Sequence, residues 1–113
     1  MAAELQTWSG KQRFRYEFSR STLDVRIFCG KGFSRIYRVE GQAVRAALRE
    51  FSGKETPAGT NRSDPPAGSI GDWFRVNWKR GGIISYLGPI LIEEGYAKPG
   101  TDTDLIYINP FQS

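Results

Sequence analysis

Polar and apolar residues alternate strictly from Arg13 to Phe18. Phe14, Tyr16 and Phe18 share one face, and Arg13, Arg15 and Glu17 the other. A period of two marks a half-buried strand. After a polar break at Ser19–Thr22 the alternation resumes, with Leu23, Val25, Ile27 and Cys29 facing inward. It returns from Phe33 to Val39, past the tight turn Gly30-Lys31-Gly32. Residues 1–40 thus predict a three-stranded antiparallel meander, preceded by a loose arm over 1–10 from which Trp8 docks on the core.

At Gly41 the period becomes helical. Val44, Ala47, Leu48 and Phe51 stand at i, i+3, i+4 and i+7, predicting a first helix over 41–53 that ends at Gly53. Residues 54–68 are Pro, Gly, Ser, Thr, Asn and Asp without a period, which reads as a flexible loop. Ser69 caps a second, short helix, with Asp72 three residues on, and Ile70, Trp73 and Phe74 form its buried face. A turn over Asn77–Gly82 leads to a third helix carrying Ile84, Leu87 and Leu91, stopped by Gly95. Pro89 permits two versions of that helix: one kinked at the proline, or one whose regular part begins at Gly88-Pro89. A loop over Lys98–Thr103 and an alternating strand, Leu105–Ile108, complete a single α+β domain.

The segment from Gln42 to Ile108 resembles the winged helix-turn-helix family of DNA-binding domains. The resemblance rests on the three helical segments, on Leu91-Ile92-Glu93-Glu94-Gly95-Tyr96-Ala97, and on the polar loop before Leu105-Ile106-Tyr107-Ile108. It implies a fold class of an N-terminal antiparallel β-meander followed by a winged helix-turn-helix over 69–108. It also implies a third helix in the major groove, with Lys79, Arg80, Ser85 and Tyr86 at its leading end meeting base edges and phosphates. The amides of Gly81 and Gly82 would approach phosphate, and Lys98 on the wing would touch the backbone.

Charge sharpens this picture. The 113 residues carry 16 Lys+Arg against 12 Asp+Glu, a net +4. Residues 1–38 hold eight basic and three acidic side chains (+5), residues 39–80 seven and five (+2), and residues 81–113 one and four (−3). A basic front and an acidic end suit a polyanion partner. Arg13, Arg15 and Arg26 share the polar face of the meander, either as a phosphate surface or as cross-strand pairs with Glu17 and Asp24. Phe28, Phe33 and Tyr37 beside them are the stacking candidates of an alternative, single-strand-binding sheet.

Catalysis finds little support. The chain has no histidine, the commonest general base and zinc ligand, and its one cysteine, Cys29, has no histidine partner. Gly30-Lys31-Gly32 lacks the spacing of a phosphate-binding loop. Glu93-Glu94 and Asp102/Asp104 are not arranged for a divalent cation. The expectation is a non-catalytic DNA-binding module, suited to transcription regulation, without cofactor or metal. A small adaptor or inhibitor that binds protein is the alternative. A lone thiol fits a reducing, cytoplasmic setting, and no stretch reaches the roughly 20 apolar residues of a membrane span. A homodimer would be usual for such a reader, yet no heptad predicts one.

Overall fold

A computed structural model of the chain describes residues 3–61 and 63–112. Met1 and Ala2 of the predicted arm, and Arg62 of the predicted loop, lie outside the described residues. The architecture is mixed α+β. Strands β1 (Ala3–Gln6), β2 (Arg13–Phe18), β3 (Val25–Cys29) and β4 (Arg35–Val39) form one antiparallel sheet in chain order. There follow α1 (Gly41–Glu50), β5 (Glu55–Pro57), α2 (Ile70–Trp78), α3 (Ile84–Glu93), β6 (Ala97–Pro99) and β7 (Leu105–Ile108). The last strands make a second antiparallel sheet in the order β5-β7-β6, so the final strand lies in the middle.

The alternation from Phe14 to Cys29 places its residues as predicted. Phe14, Tyr16, Val25, Ile27 and Cys29 are buried, and they share a core with Phe74, Leu87, Ile90, Leu91, Ile106 and Ile108.

Four local expectations are corrected. The arm is not loose: Ala3–Gln6 pairs with β2 in the register Ala3↔Tyr16 to Gln6↔Arg13, making the meander four-stranded. Its third predicted strand starts at Arg35 rather than Phe33, because Lys31–Phe33 forms a 3-10 turn with Phe33 at φ 57°. The first helix stops at Glu50, and Gly53 instead donates its amide to the Ile108 carbonyl at 2.8 Å. The segment 54–68 is not a plain flexible connection. Thr56 pairs with Ile106, the Ala58 amide donates to Asp104 O (2.9 Å), and the Gly71 amide donates to Ala58 O (2.8 Å). A Cβ on Gly71 would overlap the Gly59 carbonyl oxygen, so this close crossing requires glycine.

Helix α1 takes its N-terminal cap from a distant residue. Glu40 makes no side-chain cap bond, and Asp24 Oδ1 accepts the Gly41 amide at 2.6 Å instead. A hydrogen bond with Thr22, and then this amide, hold the Asp24 carboxyl below its usual value.

The geometry at Pro89 explains how the meander joins the helices. Helix α3 begins at Ile84 and contains Pro89, so of the two versions its regular part does not wait for Gly88-Pro89. A proline at position 89 has no amide to give the carbonyl four residues back, that of Ser85. The Trp8 amide donates to that carbonyl at 2.8 Å. Gly88 supplies the room: a Cβ there would lie 2.9 Å from Trp8 Cε3 and 3.2 Å from Cζ3. Trp8 Nε1 then donates to Thr103 O (3.1 Å). The β1–β2 loop is thereby seated on α3 and on the loop between β6 and β7.

This socket predicts a reversal of sign. Gly88→Ala in the native chain should destabilise by about 1–3 kcal/mol, because the new methyl meets a tethered indole. In a Trp8→Ala background the same change should stabilise by about 1 kcal/mol, the ordinary helix preference for alanine. Urea melts of the four proteins would measure both; the same sign in both backgrounds would refute the packing.

Candidate nucleic-acid interface

Helix α2 ends on Lys79, whose φ of 55° lies in the left-handed region. The Arg80 amide reaches back to Phe74 O at 3.1 Å, so the helix closes tightly and the next side chains turn outward. Arg80 Nη2 donates to Arg38 O at 2.7 Å, tying the α2–α3 turn to the edge strand β4. Arg38 in turn sits opposite Arg26 in the β3–β4 register.

An open cleft of about 480 Å³ lies at this seam. Arg75, Lys79 and Arg80 supply its charge, Tyr37, Ile83 and Tyr86 its apolar lining, and Gly81-Gly82 a wall of bare backbone. The two tyrosine rings stand 6.1 Å apart at 56°. Arg35 Nη1 donates to Tyr37 Oη (3.4 Å), and that contact holds the Arg35 guanidinium above its usual value. Burial first, then a hydrogen bond with Cys29, push the Tyr86 phenol up, so it stays neutral. Arg75 is paired with Asp72 at 2.9 Å and, among the described residues, is the one salt-bridged cation of the three in the cleft.

The other predicted residues are spread over the molecule. Ser85 is half-buried, and its carbonyl is occupied by Trp8. Lys98 stands on β6 with its Nζ 6.0 Å from the Tyr107 ring centroid. Arg13 and Arg15 both meet Glu4, at 3.2 and 3.5 Å, and Arg26 pairs with Glu17. The meander arginines are therefore engaged in cross-strand pairs. Their aromatic neighbours are partly covered too: Arg15 Cζ lies 4.3 Å over Phe33, and Arg26 Cζ 5.8 Å over Phe28. Tyr37 does not join Phe28 on that face. It stands opposite Ile27, on the inner side against Tyr86. The structure thus brings together Lys79, Arg80, Tyr86 and the Gly81-Gly82 backbone, and adds Arg75 and Tyr37. Arg75 was legible as the i,i+4 neighbour of Lys79; Tyr37 at this site required the tertiary contact.

Helix α3 has little surface of its own. Of its residues only Glu93 is exposed, and none is basic. Its C-terminal end is clamped by the meander. Tyr16 Oη donates to Glu94 Oε2 at 2.7 Å, and Arg20 Nη2 donates to Glu94 Oε1 (3.1 Å) and to the Glu94 carbonyl (3.0 Å). Among the described residues, no group of three or more His, Cys, Asp or Glu side chains converges as a set of metal ligands. No helix is long and apolar enough to cross a membrane.

No protein-family model matches the chain, and no curated protein or solved structure shows detectable similarity to it.

The Tyr16–Glu94 bond carries a pH signature. Burial, reinforced by Glu94, raises the Tyr16 phenol well above its ordinary value of 10.0. A raised folded value means that the contribution is complete below the unfolded value and is lost as pH climbs through the folded one. Thermal melts should therefore fall more steeply above about pH 10 for the native chain than for Tyr16→Phe. At neutral pH that variant should lose roughly 1–2 kcal/mol. Parallel alkaline profiles would show that the bond does not form.

Proposed function

We propose that this chain is a non-catalytic nucleic-acid-binding module, and that residues 41–108 form a winged helix-turn-helix unit. Two features of the backbone support the second statement. The elements run helix, strand, helix, helix, strand, strand, and the last strand lies between the other two. The polar hairpin loop after β6 takes the place of the wing.

The observation that carries the binding reading is the cluster of Arg75, Lys79 and Arg80 around the α2–α3 turn. Cations gathered on a bare-backbone turn neutralise phosphates and release counterions, which is the main source of affinity for DNA. With α3 enclosed by the meander, the contacts fall on the sugar–phosphate backbone rather than on base edges. Such contacts position a protein without reading sequence. Binding is then tolerant of sequence, and regulation through DNA would depend on structure or on a partner.

A second reading, a small protein-binding adaptor or inhibitor, is favoured by one patch. Val76 is 60% exposed on α2 beside Trp73, in a groove edged by Glu50, Glu55 and Asp72. Recovery of one stoichiometric protein, lost with Val76→Asp and unaffected at Lys79 and Arg80, would favour it.

Salt titration tests the nucleic-acid reading. Affinity for random-sequence duplex should fall linearly with salt on logarithmic axes. Replacing Lys79 and Arg80 together with alanine should flatten that slope by about 2. Replacing Arg13 and Arg26, which are already paired with carboxylates, should change it little. No affinity for nucleic acid at low salt would overturn the proposal.

A further inference from the structure

The cleft at the seam is more than a patch for phosphates. Other grooves on the surface have similar volumes, about 440–460 Å³, so what distinguishes this one of about 480 Å³ is its lining. Its lining is two-sided, with Tyr37, Ile83 and Tyr86 apolar and Lys79 and Arg80 cationic. The wall at Gly81-Gly82 carries no side chains, so a flat group can pass it to reach the rings. Tyr37 Oη accepts from Arg35 Nη1 at 3.4 Å, which anchors that ring at the edge of the cleft with its face toward Tyr86.

Duplex DNA fits only half of this. Its phosphates can reach Lys79 and Arg80, but its base faces are stacked on one another and would leave the tyrosines unused. An unpaired nucleotide presents a free base face and a phosphate at neighbouring positions, the combination by which sequence-tolerant single-strand binders work.

We propose that the cleft between β4 and the α2–α3 turn seats one unpaired nucleotide of a single-stranded nucleic acid, with its base against Tyr37 and Tyr86 and its phosphate on Lys79 and Arg80. This rests on the nucleic-acid reading above and names the form of the ligand. Because stacking on a ring face is open to every base, the seat accepts any base. It also moves the single-strand site from the outer face of the meander to the seam beside its last strand.

Three fluorescent probes of equal length test it by anisotropy at low salt: a thymidine single strand, the same backbone with abasic sites, and a blunt duplex. The single strand should bind about tenfold more tightly than either of the others, the scale of one base–aromatic stack. Tyr37→Leu keeps apolar volume and removes the ring, so it should abolish that tenfold preference while leaving the salt slope unchanged. Equal binding of intact and abasic strands, with duplex as tight or tighter, would overturn the nucleotide seat and leave the phosphate reading standing. No binding of any probe would overturn both. A single-strand preference that survives Tyr37→Leu but disappears with Phe28→Ala and Phe33→Ala would return the site to the outer sheet face and refute this cleft.

Discussion

The Ser85 carbonyl is the point on which the two halves of this molecule meet. In an uninterrupted helix its partner would be the amide of residue 89, and there the chain has proline. The vacated acceptor is filled by the Trp8 amide, while Gly88 leaves a flat site for the indole. A residue that would cost a lone helix about 3 kcal/mol thus becomes the anchor for a sheet. The free amide and the free carbonyl satisfy each other, so neither is left as a buried polar group without a partner. Tyr16 and Arg20 close the opposite end of the same helix on Glu94.

That anchorage determines what the surface can do. A helix held between β1 and β6 cannot also be the part that enters a groove, and α3 has no basic side chain to bring there. Exposed Lys79 and Arg80 lie instead where α2 turns into α3, and the same docking brings β4 alongside that turn. Arg80 marks the junction by donating to Arg38 O. The cationic cleft is therefore a product of the meander covering the helices: without the sheet there would be a basic turn but no pocket.

Much of this was visible in the linear pattern. The period-two runs located β2 and β3 and their buried faces, and the helical spacing of Val44, Ala47, Leu48 and Phe51 located α1. Ser69 fulfilled its capping role, with the Asp72 amide donating to its Oγ at 3.0 Å. What escaped depended on contacts far apart in sequence. Ala3–Gln6 is a strand because β2 offers it an edge, and four residues have too little alternation to announce that alone. Thr56 and Ala58 are fixed by β7 and Asp104, nearly fifty residues away, in a stretch whose composition suggests mobility. Pro89 was recognised as anomalous, but its resolution required knowing that Trp8 arrives from the other end of the chain. At the candidate site Lys79, Arg80 and Tyr86 were legible as residues flanking a turn. Their union with Tyr37 was not, because a strand's register does not tell which helix will cover it.

The claim beneath all of this is that α3 is an interior element shared by both sheets, and amide hydrogen exchange tests it directly. The amides of Leu87, Ile90 and Leu91 should exchange as slowly as those of Phe14 and Ile27, through the same global opening. Exchange of those α3 amides through a lower-energy opening that leaves β2 and β3 protected would contradict it.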